Sequence, residues 1–90
     1  METRIAVMGI IVEDPDSVGA LNDLLHDYAP YIIGRMGIPY REKNLSIVSI
    51  AIDAPQNTIA ALSGKIGSLS GISVKTAYSS VITAKEENHD

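Results

Sequence analysis

A single α+β domain in βαββαβ order, with a four-stranded antiparallel sheet carrying two helices on one face, is the fold that these 90 residues predict. Long apolar runs at 3–12 and 45–52 read as strands with apolar side chains on both faces. Two segments that each open with an acidic residue and a proline continue with apolar residues at helical spacing. A closing segment, "GISVKTAYSS" at 71–80, alternates as a half-buried strand does.

The first run, from Thr3 to Val12, is almost wholly apolar and rich in β-formers. "EDPDS" then stops the strand and starts a helix: Asp14 is a capping residue, Pro15 suits the first helical position, and Asp16 favours the positive end of the helix dipole. Val18, Leu21, Leu25 and Tyr28 follow at helical spacing, with Leu24 widening the stripe, so the helix extends from about Pro15 to Asp27. Next comes "IIGRMGIPYRE" at 32–42, a strand softened by glycines, whose turn "REKN" leads into the strand "LSIVSIAI" and closes a hairpin. The second helix starts at Pro55, places Ile59, Leu62, Ile66 and Leu69 on one face, and ends near Gly67. In the last strand Ile72, Val74, Thr76 and Tyr78 share a face, and "VITA" extends it.

This order is the ferredoxin-like split βαβ arrangement. Right-handed crossovers put the first and third strands at the centre and both helices on one side. Residues 1–84 form the domain, and the charged segment "KEENHD" at 85–90 is expected to be a flexible tail. Two helices cover only one face of four strands. The second apolar face of the central strands therefore needs another cover, most simply a second copy of the chain.

Arg35 is the unusual residue of the hairpin. Alternation sets Ile32, Gly34, Met36, Ile38 and Tyr40 on one face and Ile33, Arg35, Gly37, Pro39 and Arg41 on the other. If the apolar set faces the helices alongside Val48, Ile50 and Ile52, the hairpin loop has three or five residues, whereas a four-residue loop would put Arg35 beneath the helices. The odd-length loop is the expectation. It lays Arg35 on the helix-free face beside Gly37, near Ser49 and Ala51. A planar guanidinium among small residues suits a carboxylate or phosphate; the alternatives are a side chain reaching solvent or an ion pair with a subunit mate. Arg35, Gly34, Gly37 and Ser49 are the candidate ligand-binding or interface residues.

Composition removes many function classes. The absence of cysteine excludes disulfides, thiolate metal sites, cysteine-ligated iron–sulfur clusters and a cysteine nucleophile. His26 belongs to the last turn of the first helix and His89 to the acidic end, too far apart in sequence to suggest a metal site, and neither nickel nor zinc is expected to bind. "GKIGS" at 64–68 lacks the glycine and the strand-to-helix placement of a phosphate loop, and no catalytic constellation is present. A formal charge of −4 with singly spread Lys and Arg disfavours direct nucleic-acid binding. The opening residues do not read as a signal peptide, no apolar stretch reaches the length of a membrane helix, and a cytoplasmic location is expected.

The stretch from "IVEDPDSVGALNDLLHDYAPYIIGRMGIPYREKNLSIVSIAID" to "LSGKIGSLSGISVKTAYS" resembles the small regulators associated with the iron-only hydrogenase system, over roughly residues 4 to 79. Its most specific portion is "IIGRMGIPYRE". The resemblance implies an ACT-like fold akin to the C-terminal ligand-binding domain of nickel-responsive repressors, and a regulatory role without enzymatic activity or cofactor. ACT modules carry a glycine in the first strand-to-helix loop, after an Asp-Arg-Pro-like sequence. Here Asp16 and Ser17 occupy that region and Gly19 comes later, so amino-acid binding is not expected. The histidines and cysteine of the nickel sites are also missing. The expected function is an oligomeric regulatory module that senses a small anionic effector through Arg35; the alternative is a structural self-association or protein-interaction module without a ligand.

Overall fold

The computed structural model describes residues 2–84. The strands are β1 (Glu2–Val12), β2 (Ile32–Tyr40), β3 (Leu45–Ala54) and β4 (Ile72–Ala84), and the helices α1 (Val18–Asp27) and α2 (Gln56–Gly67). The four strands form one antiparallel sheet in the order β2-β3-β1-β4, the ferredoxin-like arrangement with β1 and β3 central. The tail expected at 85–90 lies outside the described residues.

The helices start where side-chain chemistry directs. Asp14 accepts a hydrogen bond from the Asp16 N–H at 2.9 Å, and Pro15 opens a 3₁₀ turn, Pro15–Ser17, that feeds α1. α1 is therefore shorter at its start than the spacing alone predicts, because its first turn is wound more tightly. α1 buries Leu21 and Leu25; α2 buries Ile59, Leu62 and Ile66. Against them the sheet presents Ala6, Met8, Ile10 and Val12 of β1, Val48, Ile50, Ile52 and Ala54 of β3, and Ile72 of β4. Apart from Met8 the buried cluster is aliphatic, with the Tyr28 ring packed against it from the side, and each fully buried Leu or Ile side chain in it contributes about 1.5–3 kcal/mol.

Two devices tie the ends of the sheet to the helices. At one end, the Glu13 N–H donates to the Gly71 carbonyl at 2.7 Å and the Ser17 hydroxyl to the Ser70 carbonyl at 2.6 Å, joining the entry to α1 to the entry to β4. Near the other, the β1–β4 pairing shifts register between Arg4 and Ala6. The Arg4 guanidinium donates twice to the Ser79 carbonyl, at 3.2 and 2.6 Å, and once to Gln56 Oε1 at 2.9 Å, while lying 4.9 Å from the centre of the Tyr78 ring.

Gly71 has φ +69°, and a Cβ there would lie 2.5 Å from Asp14 Cβ and 3.0 Å from the Asp14 nitrogen. Backbone, not only a movable side chain, blocks it. Gly71→Ala is therefore expected to cost about 2–4 kcal/mol, combining left-handed strain with overpacking. Gly9→Ala, whose Cβ would meet nothing within 4 Å, is expected to cost less than about 1 kcal/mol. Urea melts of the two variants measure the difference.

Candidate functional site

The hairpin that carries Arg35 has a four-residue loop. Tyr40 pairs with Leu45, leaving 41–44 as the connection. Arg41–Lys43 form a 3₁₀ turn closed by the Asn44 N–H on the Arg41 carbonyl at 3.1 Å, and Asn44 turns the chain back at φ 56° and ψ 45°. Asparagine is among the few residues that adopt this left-handed conformation readily. Tyr40 donates from its phenol to Glu42 Oε1 at 2.7 Å across the turn.

The expected odd-length loop is thus corrected, and the faces of β2 exchange. Arg35 pairs with Ile50, Gly37 with Val48 and Pro39 with Ser46, so these lie on the helix side, while Met36 and Ile38 pair with Ser49 and Ile47 on the helix-free side. Ile32 nevertheless reaches the core: a bulge between Ile32 and Gly34 restores it to the helix side opposite Ile52. The physical reason is that β2 is an outer strand whose middle the helices do not bury. Placing Arg35 there carries little desolvation, and Ile38 gains Ile47 as an apolar neighbour on β3.

The four candidate residues are therefore divided between the faces. Arg35 and Gly37 lie toward α1, while Gly34, opposite Ala51, and Ser49 lie on the helix-free face. Arg35 donates from Nη2 to Asn22 Oδ1 on α1 at 3.1 Å. No carboxylate among the described residues pairs with it. Asn22, which the sequence reading did not single out, occupies the α1 position one turn before His26, and both border the same groove.

That groove follows the seam between α1 and β2. Its central stretch has a volume of about 220 Å³, with Val12, Leu21 and Val48 lining it and Arg35 and Asn22 also present. Toward one end Ala29 and Ile32 continue the lining; toward the other come Pro15 and Arg41. No Asp or Glu is among the residues lining any of the three stretches. What the groove offers is an apolar floor with cationic and amide donors.

On the helix-free side, strand pairing aligns Ile38, Ile47 and Ile11 in one row across β2, β3 and β1. Each is more than 40 % exposed. The next row is Met36, Ser49, Gly9 and Lys75, and the one after it Gly34, Ala51, Val7 and Ala77. One ridge of large apolar residues thus stands beside two rows built mainly of smaller ones, in which Met36, Val7 and Lys75 are the larger side chains. Among the described residues, no group of three or more His, Cys, Asp or Glu could hold a metal ion, and no helix is long and apolar enough to cross a membrane.

Comparison with known proteins assigns a family. The family model TM1266-like, described as "Iron-only hydrogenase system regulator, putative", matches residues 4–76. The chain belongs to the TM1266-like family. A solved structure of the uncharacterized protein TM1266 from Thermotoga maritima is 36% identical, with a TM-score of 0.81, covering 84% of this chain and 96% of that one. A formyltetrahydrofolate deformylase from Pseudomonas putida KT2440 shares the fold at 9% identity and a TM-score of 0.58, over 80% of this chain and 28% of its own. No curated protein matches the chain. The TM1266-like match includes the whole hairpin and both of its flanking elements, so the register that positions Arg35 falls within the family region.

Two outcomes follow for the hairpin. Arg35 is exposed, so Arg35→Met is expected to change fold stability by less than about 1 kcal/mol, as read from denaturant melts at a fixed protein concentration. The hydrogen bond to Glu42 raises the Tyr40 pKa above the usual 10.0. That bond is fully present below pH 10 and is lost as the phenol ionises above it. Ultraviolet titration of the tyrosines should show one late-ionising phenol that moves toward its ordinary value in Glu42→Ala.

Proposed function

We propose that this TM1266-like protein is a self-associating regulatory module of an iron-only hydrogenase system that responds to a small anionic effector. The family description supplies the regulatory role. The observation that carries the mode of action is the exposed Ile38–Ile47–Ile11 row on a sheet whose other face is already covered by helices.

A second copy of the chain is the occupant that this face fits. The contact would be isologous: Met36, 57% exposed, stands beside the small residues Ser49 and Gly9, over which the flexible thioether of the other copy would pack. Burying a large apolar patch is the dominant favourable term in such association. The Arg35 groove opens on the opposite side of the sheet, so effector and partner copy do not compete for surface. The effector acts through the hairpin they share, since β2 places Arg35 on one face and Met36 on the other.

Sedimentation velocity at micromolar concentration is expected to show a dimer or larger assembly and no dominant monomer. Ile47→Glu puts a charge at the centre of the row and is expected to dissociate the assembly while the circular dichroism of the folded chain persists. A wild-type monomer would overturn the reading. Assembly without any effector response would favour the purely structural association module, which the same apolar row supports.

A further inference from the structure

We infer that the groove between α1 and β2 is a binding site for a small aliphatic monocarboxylate without an α-amino group. The inference deepens the effector half of the proposed function and rests on it; it does not depend on the interface between copies.

The polar end of the ligand follows from the donors. Arg35 supplies a planar fork of N–H groups, and its Nη2 holds Asn22 Oδ1 at 3.1 Å. With its oxygen turned to the guanidinium, the Asn22 amide presents its nitrogen, a donor, to anything else in the groove. Guanidinium and amide together match the two oxygens of one carboxylate. A phosphate could meet the same donors, but it has no use for the rest of the site.

The other end follows from the floor. Val18 and Pro39 are the exposed apolar residues of the stretch of about 220 Å³ that contains Arg35 and Asn22, and beneath them the buried Val12, Leu21 and Val48 back it with aliphatic core. An aliphatic tail of a few carbons, extending from a carboxylate on Arg35, covers those exposed residues. The groove is also selective by charge. Its lining contains no Asp or Glu in any stretch, whereas Arg35 and Arg41 both border it. The ammonium of an amino acid would find no carboxylate there and would stand close to the like charge of the Arg35 guanidinium. A zwitterion is the wrong ligand.

The test uses a matched pair: 4-methylpentanoate, and leucine, which is the same skeleton with an α-amino group. Isothermal titration of the full chain is expected to show saturable binding of 4-methylpentanoate with at least about tenfold weaker binding of leucine, a difference of about 1.4 kcal/mol. Arg35→Met is expected to weaken 4-methylpentanoate by at least about tenfold and Asn22→Ala to weaken it by a smaller factor. Chemical-shift changes on binding should fall on Leu21, Asn22, Arg35 and Val48. Leucine binding as tightly as 4-methylpentanoate would overturn the inference, as would absence of saturable binding. Inorganic phosphate binding as tightly would reduce the site to a bare anion contact, and binding unaffected by Arg35→Met would move it elsewhere; either result overturns the assignment. Sedimentation of the same samples separates the two readings: assembly with no 4-methylpentanoate binding sinks only the ligand class, and binding by a monomer sinks only the self-association.

Discussion

The strand pairing between β2 and β3 is the constraint on which the functional geometry depends. Side chains alternate with a period of two, so changing the loop by one residue exchanges the faces of the whole outer strand. Asn44, in the left-handed conformation, ends a tight turn and makes the connection four residues long. From that follow the position of Arg35 over the groove, its hydrogen bond to Asn22, and the transfer of Met36 and Ile38 to the exposed face. The bulge after Ile32 is the complementary device. It lets the strand leave the core with one register and continue with the other.

The division of labour within the sheet has the same origin. β1 and β3 are central and apolar on both sides, yet the helices seal only one side, with Met8, Ile10, Ile50 and Ile52 fully buried beneath them. The core requires nothing from Ile11 or Ile47. Their place on an open sheet is costly for a solitary chain and favourable for one that associates. β2, meanwhile, is exposed along nearly its full length. It borders the groove with one set of residues and the open face with the other, which makes it the element able to connect two surfaces that do not touch.

Much of the fold was legible because each element carries its own local physics. Asp14 and Pro15 mark a helix start in any context, and the spacing of Ile59, Leu62 and Ile66 states which face of α2 is buried. The central positions of β1 and β3 could be read from their doubly apolar composition together with the handedness of the crossovers. The hairpin was harder. The rule that apolar residues face the core gave the wrong assignment for Met36 and Ile38, since it assumes the helices cover an outer strand, and they do not cover this one. A signal for the observed register was present in Asn44, whose tolerance of the left-handed conformation makes it a natural last loop residue before Leu45. The bulge at Ile32 had no comparable signal.

By itself, then, the sequence determined the βαββαβ order, the aliphatic core, the helix starts and the existence of a second apolar sheet face. These depend on contacts between near neighbours or on a periodicity that one segment displays alone. Tertiary structure decided the partner of Arg35 and the makeup of the groove. Asn22 and Arg35 meet only because a helix packs near one edge of the sheet and a turn of a particular length sets the phase of the strand, and neither fact is written in the residues around them.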